Sequence, residues 1–215
     1  MPTPSLPPPH SPLAWLLQAA GVAVFLSLGA CTTAPPALPA TTVEGPTSRG
    51  PILQIEQLDR GALIFLPSVV LFEVGKATVN AAEAGPYLDR VARLLTAKTQ
   101  KAISIEGHTD SDGSASTNDS LSKARATAIA EALSSRGVQT SRLSTSGYSF
   151  NRPVASNATE DGKRLNRRVE IIVLDEKVAA LTQGEPSGSF ESAWARLKNL
   201  VDSGHIKPAE SGAKP

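Results

Sequence analysis

Asp110 and Arg125 are the two side chains of this sequence whose types and spacing set up a chemistry. Asp110 stands in GHTDSDGSASTNDS, just past the alternating run Ala102-Ile103-Ser104-Ile105-Glu106, which reads as a strand. Arg125 falls between Leu121, Ile129 and Leu133 at spacing four, inside the stripe that a helix turns toward the body of its domain. A cation there needs a partner. It can snorkel at the edge of the stripe or pair with a protein carboxylate. The location of Asp110 offers a third reading, because open α/β layers hold ligands at strand ends and a Gly/Ser loop lets a ligand approach the backbone. A carboxylate and a guanidinium on the walls of one cleft match a ligand carrying both an ammonium and a carboxylate, which is an amino-acid centre.

The elements that must hold this pair are legible on either side of it. Ile52 to Glu56 and Gly61 to Leu66 read as short strands around a turn at Asp59-Arg60-Gly61, and Val69 to Phe72 continue the apolar run. Asn80 to Lys98 is predicted as a helix with Leu88, Val91, Leu94 and Leu95 on one face. The helix bearing Arg125 is predicted from about Asn118 to Arg136, with Gly137 as its stop. Arg142 to Gly147 reads as a brief strand and Ala158 to Asn166 as a short helix. Arg168 to Leu174 reads as a strand apolar on both faces. Strands alternating with two solid helices predict an α/β layer, helices packed on a mixed sheet.

The first 31 residues contain no Lys, Arg, Asp or Glu, and Leu13 to Leu28 has the apolar character of a signal segment. Cys31 is the single cysteine, so no intramolecular disulfide exists in a chain expected to be exported. Leu28-Gly29-Ala30-Cys31 resembles a bacterial lipobox. That resemblance implies cleavage before Cys31, a diacylglycerol on its sulfur and an acylated amine; an uncleaved anchor with an inert cysteine is the alternative. Thr32 is not the aspartate that favours inner-membrane retention, which implies the outer membrane. TTAPPALPATTVEGPTSRGP then reads as a tether biased toward extended polyproline II, about 3.1 Å per residue. The domains expected are therefore a signal peptide over 1–30, a tether over 31–51, a folded domain over 52–175 and a tail over 176–215.

Composition narrows the function. A net charge of +1 offers no field for nucleic acid, and the Arg167-Arg168 pair is one dipeptide in a near-neutral chain. Asp110-Ser111-Asp112-Gly113 hints at a calcium loop, but its glycine comes fourth rather than sixth and Leu121 stands where a bidentate Glu is needed. A Ser-His-Asp hydrolase would have to converge on His108, the one histidine of the predicted domain, which is expected instead to be a hydrogen-bonded structural residue. No zinc ligand set is legible, and neither a metal nor a cofactor is expected.

Gly107-His108-Thr109-Asp110, Asn118, Leu121-Ser122, Arg125-Ala126, Gly147, Pro153 and Asn166-Arg167-Arg168-Val169-Glu170-Ile171 resemble the OmpA-like peptidoglycan-binding domain in order and spacing, from roughly Ile52 to Asp175. The resemblance implies the β-α-β-α-β-(α)-β arrangement of that α+β sandwich. It implies that Asp110 and Arg125 clasp the free amino-acid centre of diaminopimelate in a peptidoglycan stem peptide, with Thr109, Asn118 and Leu121 lining or shaping the site. From the residues alone, Asn118 is equally a helix N-cap and Leu121 equally core. The sequence departs from the family pattern at Phe72-Glu73-Val74, at Tyr148 to Arg152 and at Lys163.

The function implied is a non-enzymatic, lipid-anchored module on the periplasmic face of the outer membrane, tying that membrane to peptidoglycan. A Pal-like adaptor for a Tol-type partner and a cell-wall hydrolase are the alternatives. In the tail, Ala179 to Ser189 reads as linker, and Phe190, Trp194, Leu197 and Val201 form an amphipathic helical stripe. That stripe is expected to dock on its own domain, the alternatives being an envelope protein partner or a membrane surface.

Overall fold

The computed structural model describes residues 50–209. Cys31, the signal segment and the tether lie outside the described residues. Six strands, β1 Leu53–Leu58, β2 Gly61–Pro67, β3 Ile103–His108, β4 Leu143–Gly147, β5 Arg168–Leu174 and β6 Phe190–Ser192, form one mixed sheet in the order β4-β3-β5-β2-β1-β6. β2 and β5 occupy its middle in antiparallel register, Ile64 opposite Ile171, which is why both read as apolar on two faces. β3 runs antiparallel to β5 and parallel to β4.

Two long helices, α2 Ala81–Ala97 and α3 Ala115–Ser134, cover one face. Leu88, Val91 and Leu95 of α2 and Ala126, Ile129 and Leu133 of α3 close on Ile55, Ile64, Ile103, Ile105, Ile171 and Val173 of the strands. Alternation along the strands puts these residues on one side of the sheet. Leu63, Phe65, Glu106, His108, Arg168 and Glu170 accordingly point to the other. Val69 to Leu71, read as a continuation of the apolar run, lie in the single-turn helix α1, Ser68–Leu71. α4, Glu160–Asn166, forms where a short helix was expected, with Thr159 as its N-cap.

The helix bearing Arg125 begins a turn earlier than its apolar stripe announces. Ser114 is the N-cap, accepting from the N–H of Thr117 at 3.1 Å, so Asn118 lies inside the first turn. A serine four residues upstream outcompetes Asn118 because the intervening Ala, Ser and Thr pack against nothing and leave no periodicity to read.

Asp175 is not the boundary of the folded unit. Val178–Thr182 forms α5 rather than linker, and Leu181 drops fully buried into the core. β6 adds to β1 in parallel, Leu53 opposite Phe190, and α6, Ala193–Asp202, follows it. The sequence reading missed this because a lone leucine in a helix of five residues carries no period. The N–H of Ser156 donates to the carbonyl of Lys207 at 3.0 Å, and Ala155 bridges Pro208, so the tail returns to the body. The α6 stripe docks on its own domain: Trp194, Leu197 and Leu200 line a narrow cleft with Phe65, Val154 and Leu165. With Trp15→Phe, Trp194 becomes the single tryptophan, and its emission is expected to lie to the blue of a solvent-exposed indole and to redden on unfolding in urea. Solvent-like native emission contradicts this packing.

Candidate functional site

Gly107 is where the two walls of the candidate site are set. β3 passes so close beneath α3 that a Cβ on Gly107 would strike the carbonyl of Ser122. That approach brings the loop after β3, with Asp110, beside the face of α3 that carries Arg125. Gly107→Ala is expected to push α3 from the sheet and to destabilise the domain by about 1–3 kcal/mol, the usual cost of overpacking. Urea unfolding of the variant measures this.

Asp110 is 7% exposed. Its Oδ1 accepts from the N–H of Asp112 at 3.1 Å, turning the loop, and its Oδ2 pairs with Nη1 of Arg167. Asn118 donates from Nδ2 to the carbonyl of Asp112 at 2.8 Å, so it clamps the loop from inside the helix rather than capping it. Lys163 of α4 reaches Asp112 Oδ1 at 2.9 Å, and the N–H of Ser111 donates to Asn157 Oδ1 at 3.3 Å. The loop carrying the carboxylate is thus held on every side before any ligand arrives.

Arg125 is 4% exposed and forms the opposite wall. Its Nε donates to the carbonyl of Lys76 at 3.0 Å, and its guanidinium lies 5.2 Å from the ring centre of Phe72. Burial lowers its pKa; the charge of Asp110 acts against that lowering and the charge of Arg167 adds to it. No ion pair joins Arg125 to Asp110 or to any other acid among the described residues, and its two Nη atoms make no hydrogen bond there. The structural ion pair that the sequence left open for Arg125 is absent from the described residues. A buried cation with an unfilled fork, facing a fixed carboxylate, presents complementary charges to a zwitterion.

The remaining expected residues divide. Leu121 is half-buried and lies outside the core cluster, which leaves it free to shape the cleft. Thr109 contributes through its backbone, its N–H donating to the carbonyl of Ser149 at 2.9 Å, while its buried Oγ1 has no partner among the described residues. Arg167, part of the dipeptide set aside as a nucleic-acid signal, is joined by the structure to Asp110, 57 positions away in sequence. Asp112, Lys163 and Asn157 were not singled out for the site, and only contact across the fold reveals them.

His108, expected to be hydrogen-bonded, makes no hydrogen bond through either ring nitrogen among the described residues. It shares its sheet face with Glu106 and Glu170, while Asp110 lies past the end of β3 in the loop. The donor atoms of these three residues lie within 4.8 Å of one another, a grouping not legible in the sequence.

The OmpA family sequence profile matches residues 71–167. The chain is 32% identical over 160 residues to the outer-membrane lipoprotein YfiB of Pseudomonas aeruginosa, covering 74% of this chain and 92% of that protein. It is 37% identical over 123 residues to the probable lipoprotein YiaD of Escherichia coli, covering 57% of this chain and 56% of that protein. The chain thus spans about half of YiaD, and other curated relatives are matched over a smaller share still, down to 17% of their length. Among solved structures, the cell wall anchor of the T6SS from Pseudomonas aeruginosa is similar at a TM-score of 0.52 and 30% identity, over 57% of this chain and 87% of that one.

Proposed function

This chain belongs to the OmpA family, and from that premise we propose that it binds peptidoglycan without catalysis, taking the free amino-acid centre of diaminopimelate between Asp110 and Arg125. The observation that carries the reading is the unfilled Nη fork of Arg125, buried opposite a carboxylate held in place by Arg167 and the Asp112 N–H. The ligand carboxylate completes the fork, and the ligand ammonium takes the remaining acceptor capacity of Asp110. Stacking of Arg125 on Phe72 and its bond to the Lys76 carbonyl orient the guanidinium in advance, which lowers the entropy lost on binding.

The second half of the proposal is the anchor. Acylated Cys31 holds the chain at the outer membrane, and the proline-rich tether lets the domain reach the wall. At about 0.8 kcal/mol per buried CH₂, more than one acyl chain gives stable attachment. The similarity to an outer-membrane lipoprotein over most of both chains supports this. Sedimentation with purified diaminopimelate-type peptidoglycan, competed by free diaminopimelate, tests the binding; a protein that stays in the supernatant refutes it. Mass spectrometry of the mature N-terminus tests the anchor, and an unmodified Cys31 refutes that part alone.

A further inference from the structure

The sheet face opposite the long helices carries a charged cluster that the Asp110–Arg125 cleft does not use. Glu106, 1% exposed, receives Arg60 Nη1 and Nη2 at 2.6 and 3.0 Å. Glu170 receives Arg168 Nε at 2.7 Å. These two arginines occupy the two carboxylates. Arg152 is a third cation, and its nearest acid atom, Glu106 Oε2 at 3.5 Å, is already bonded to Arg60. Its guanidinium lies 3.6 Å from the ring centre of Tyr148, and its carbonyl is pinned by Arg168 Nη2 at 2.9 Å.

The charge balance decides what such a cluster accepts. Within the ion-paired cluster three guanidiniums share two carboxylates, which leaves Arg152 with the longest contact, while Asp59 also lines the groove and makes no ion pair among the described residues. Glu106, His108 and Glu170 would otherwise suit a metal ion, but both carboxylates are already paired with Arg60 and Arg168, so a divalent cation would have to displace a guanidinium from each. His108 between them is kept neutral: burial, followed by the charges of Arg168, Arg152 and Arg60, pushes its pKa down to about 2.

A groove of about 380 Å³ opens onto this cluster, lined by Arg60, Arg152 and Arg168, by the acids Asp59 and Glu170, and by apolar surface that includes Val154 and Trp194. Its volume falls within the range of small-ligand pockets, and its walls combine apolar surface with a few convergent polar groups. We propose that this groove is a second binding site, for a small anion, phosphate or carboxylate, attached to a flat apolar group. Arg152, held over Tyr148, takes the anion, and Trp194 with Val154 takes the apolar part. Apart from the long Nη1 contact to Glu106, the guanidinium of Arg152 makes no side-chain hydrogen bond among the described residues, and its remaining N–H groups suit carboxylate or phosphate oxygens. The site lies across the sheet from Asp110 and stands independently of the peptidoglycan reading.

The full-length chain with Trp15→Phe reads this groove directly, since Trp194 is then its one tryptophan. Its emission is titrated with phenyl phosphate, benzoate and benzyl alcohol, which share the ring and differ in the charged group. At least one anion is expected to give a saturable change with affinity about tenfold or more above that of the alcohol, and the ratio between the two anions identifies the preferred oxyanion. Arg152→Gln is expected to reduce that preference about tenfold, and Arg152→Lys to restore part of it. A flat titration, or equal affinity for the alcohol and both anions, overturns the proposal without any variant. A folded Arg152→Gln protein that binds the anion like the parent overturns it as well.

Discussion

Arg125→Ala is expected to weaken peptidoglycan binding about a hundredfold or more, roughly 2.7 kcal/mol, while the domain stays folded. The size follows from what the side chain does. Its fork makes no hydrogen bond within the described protein, so its removal costs the fold one bond to the Lys76 carbonyl and the contact with Phe72, together on the order of 1–2 kcal/mol. It costs the complex a bidentate pair and leaves a ligand carboxylate desolvated with no partner, a loss of about 3–5 kcal/mol for a well-buried pair. Arg125→Lys keeps the charge without the planar fork and is expected to recover part of the affinity. On the other wall, Asp110→Asn retains an acceptor for the Asp112 N–H, so the loop keeps its turn while the negative charge is lost. Its binding is expected to fall comparably. Melting curves and wall sedimentation on the same preparations separate the readings: a purely structural role makes binding fall only with the folded fraction. If both variants stay folded and sediment like the parent, the site lies elsewhere.

The largest expected effect of pH on stability resides in His108. Its folded pKa of about 2 lies far below the ordinary 6.5, because burial comes first among the causes and three arginines add to it. Between those values the unfolded chain binds a proton that the folded chain refuses, so unfolding becomes easier as pH falls. The contribution is fully present above about pH 6.5 and is lost progressively below it, at up to about 1.4 kcal/mol per pH unit. Glu106 acts in the same direction at lower pH: burial raises its pKa, but the hydrogen bond and charge of Arg60, with Ser104 and Arg152, outweigh that and hold it below the usual range. Urea midpoints of the parent and His108→Gln isolate the histidine. The parent is expected to lose stability steeply between about pH 6 and 5, and the variant to lose close to one proton's worth less per unit. Parallel curves for the two proteins would show that the ring is charged in the folded state.

Much of this molecule is written in local periodicity, and what is written there survives folding. Arg168–Leu174 runs over the same residues in sequence and structure, because a strand buried on both faces announces itself at every position. Leu88, Val91 and Leu95 form the buried stripe that their spacing requires, and Arg125 stands among Ala126, Ile129 and Leu133 as spacing four demands. The two charged walls of the candidate cleft were legible for the same reason: each is a break in a local pattern, an acid ending a strand and a cation in an apolar stripe.

Partner choice was not legible, since it depends on strand order and register between segments far apart in the chain. Arg167 meets Asp110 across 57 positions because β5 lies beside β3 with Arg168 opposite His108. The same register stacks Glu106 against Glu170 and gathers Arg60, Arg152 and Arg168 around them, although each of these residues is unremarkable in its own segment. Asn118, read equally as a helix cap and as a residue shaping the site, clamps the loop because Ser114 starts the helix one turn earlier. The tail became β6 and α6 because β1 has an unpaired edge and the second face of the sheet has Phe65 to cover. An edge strand's open hydrogen bonds and an uncovered apolar face are properties of the assembled sheet. The sequence by itself determined the elements and the charged pair that most invites a zwitterion; the tertiary structure decided which charges neutralise one another and which are left for a ligand, because pairing energies act through space and not along the chain.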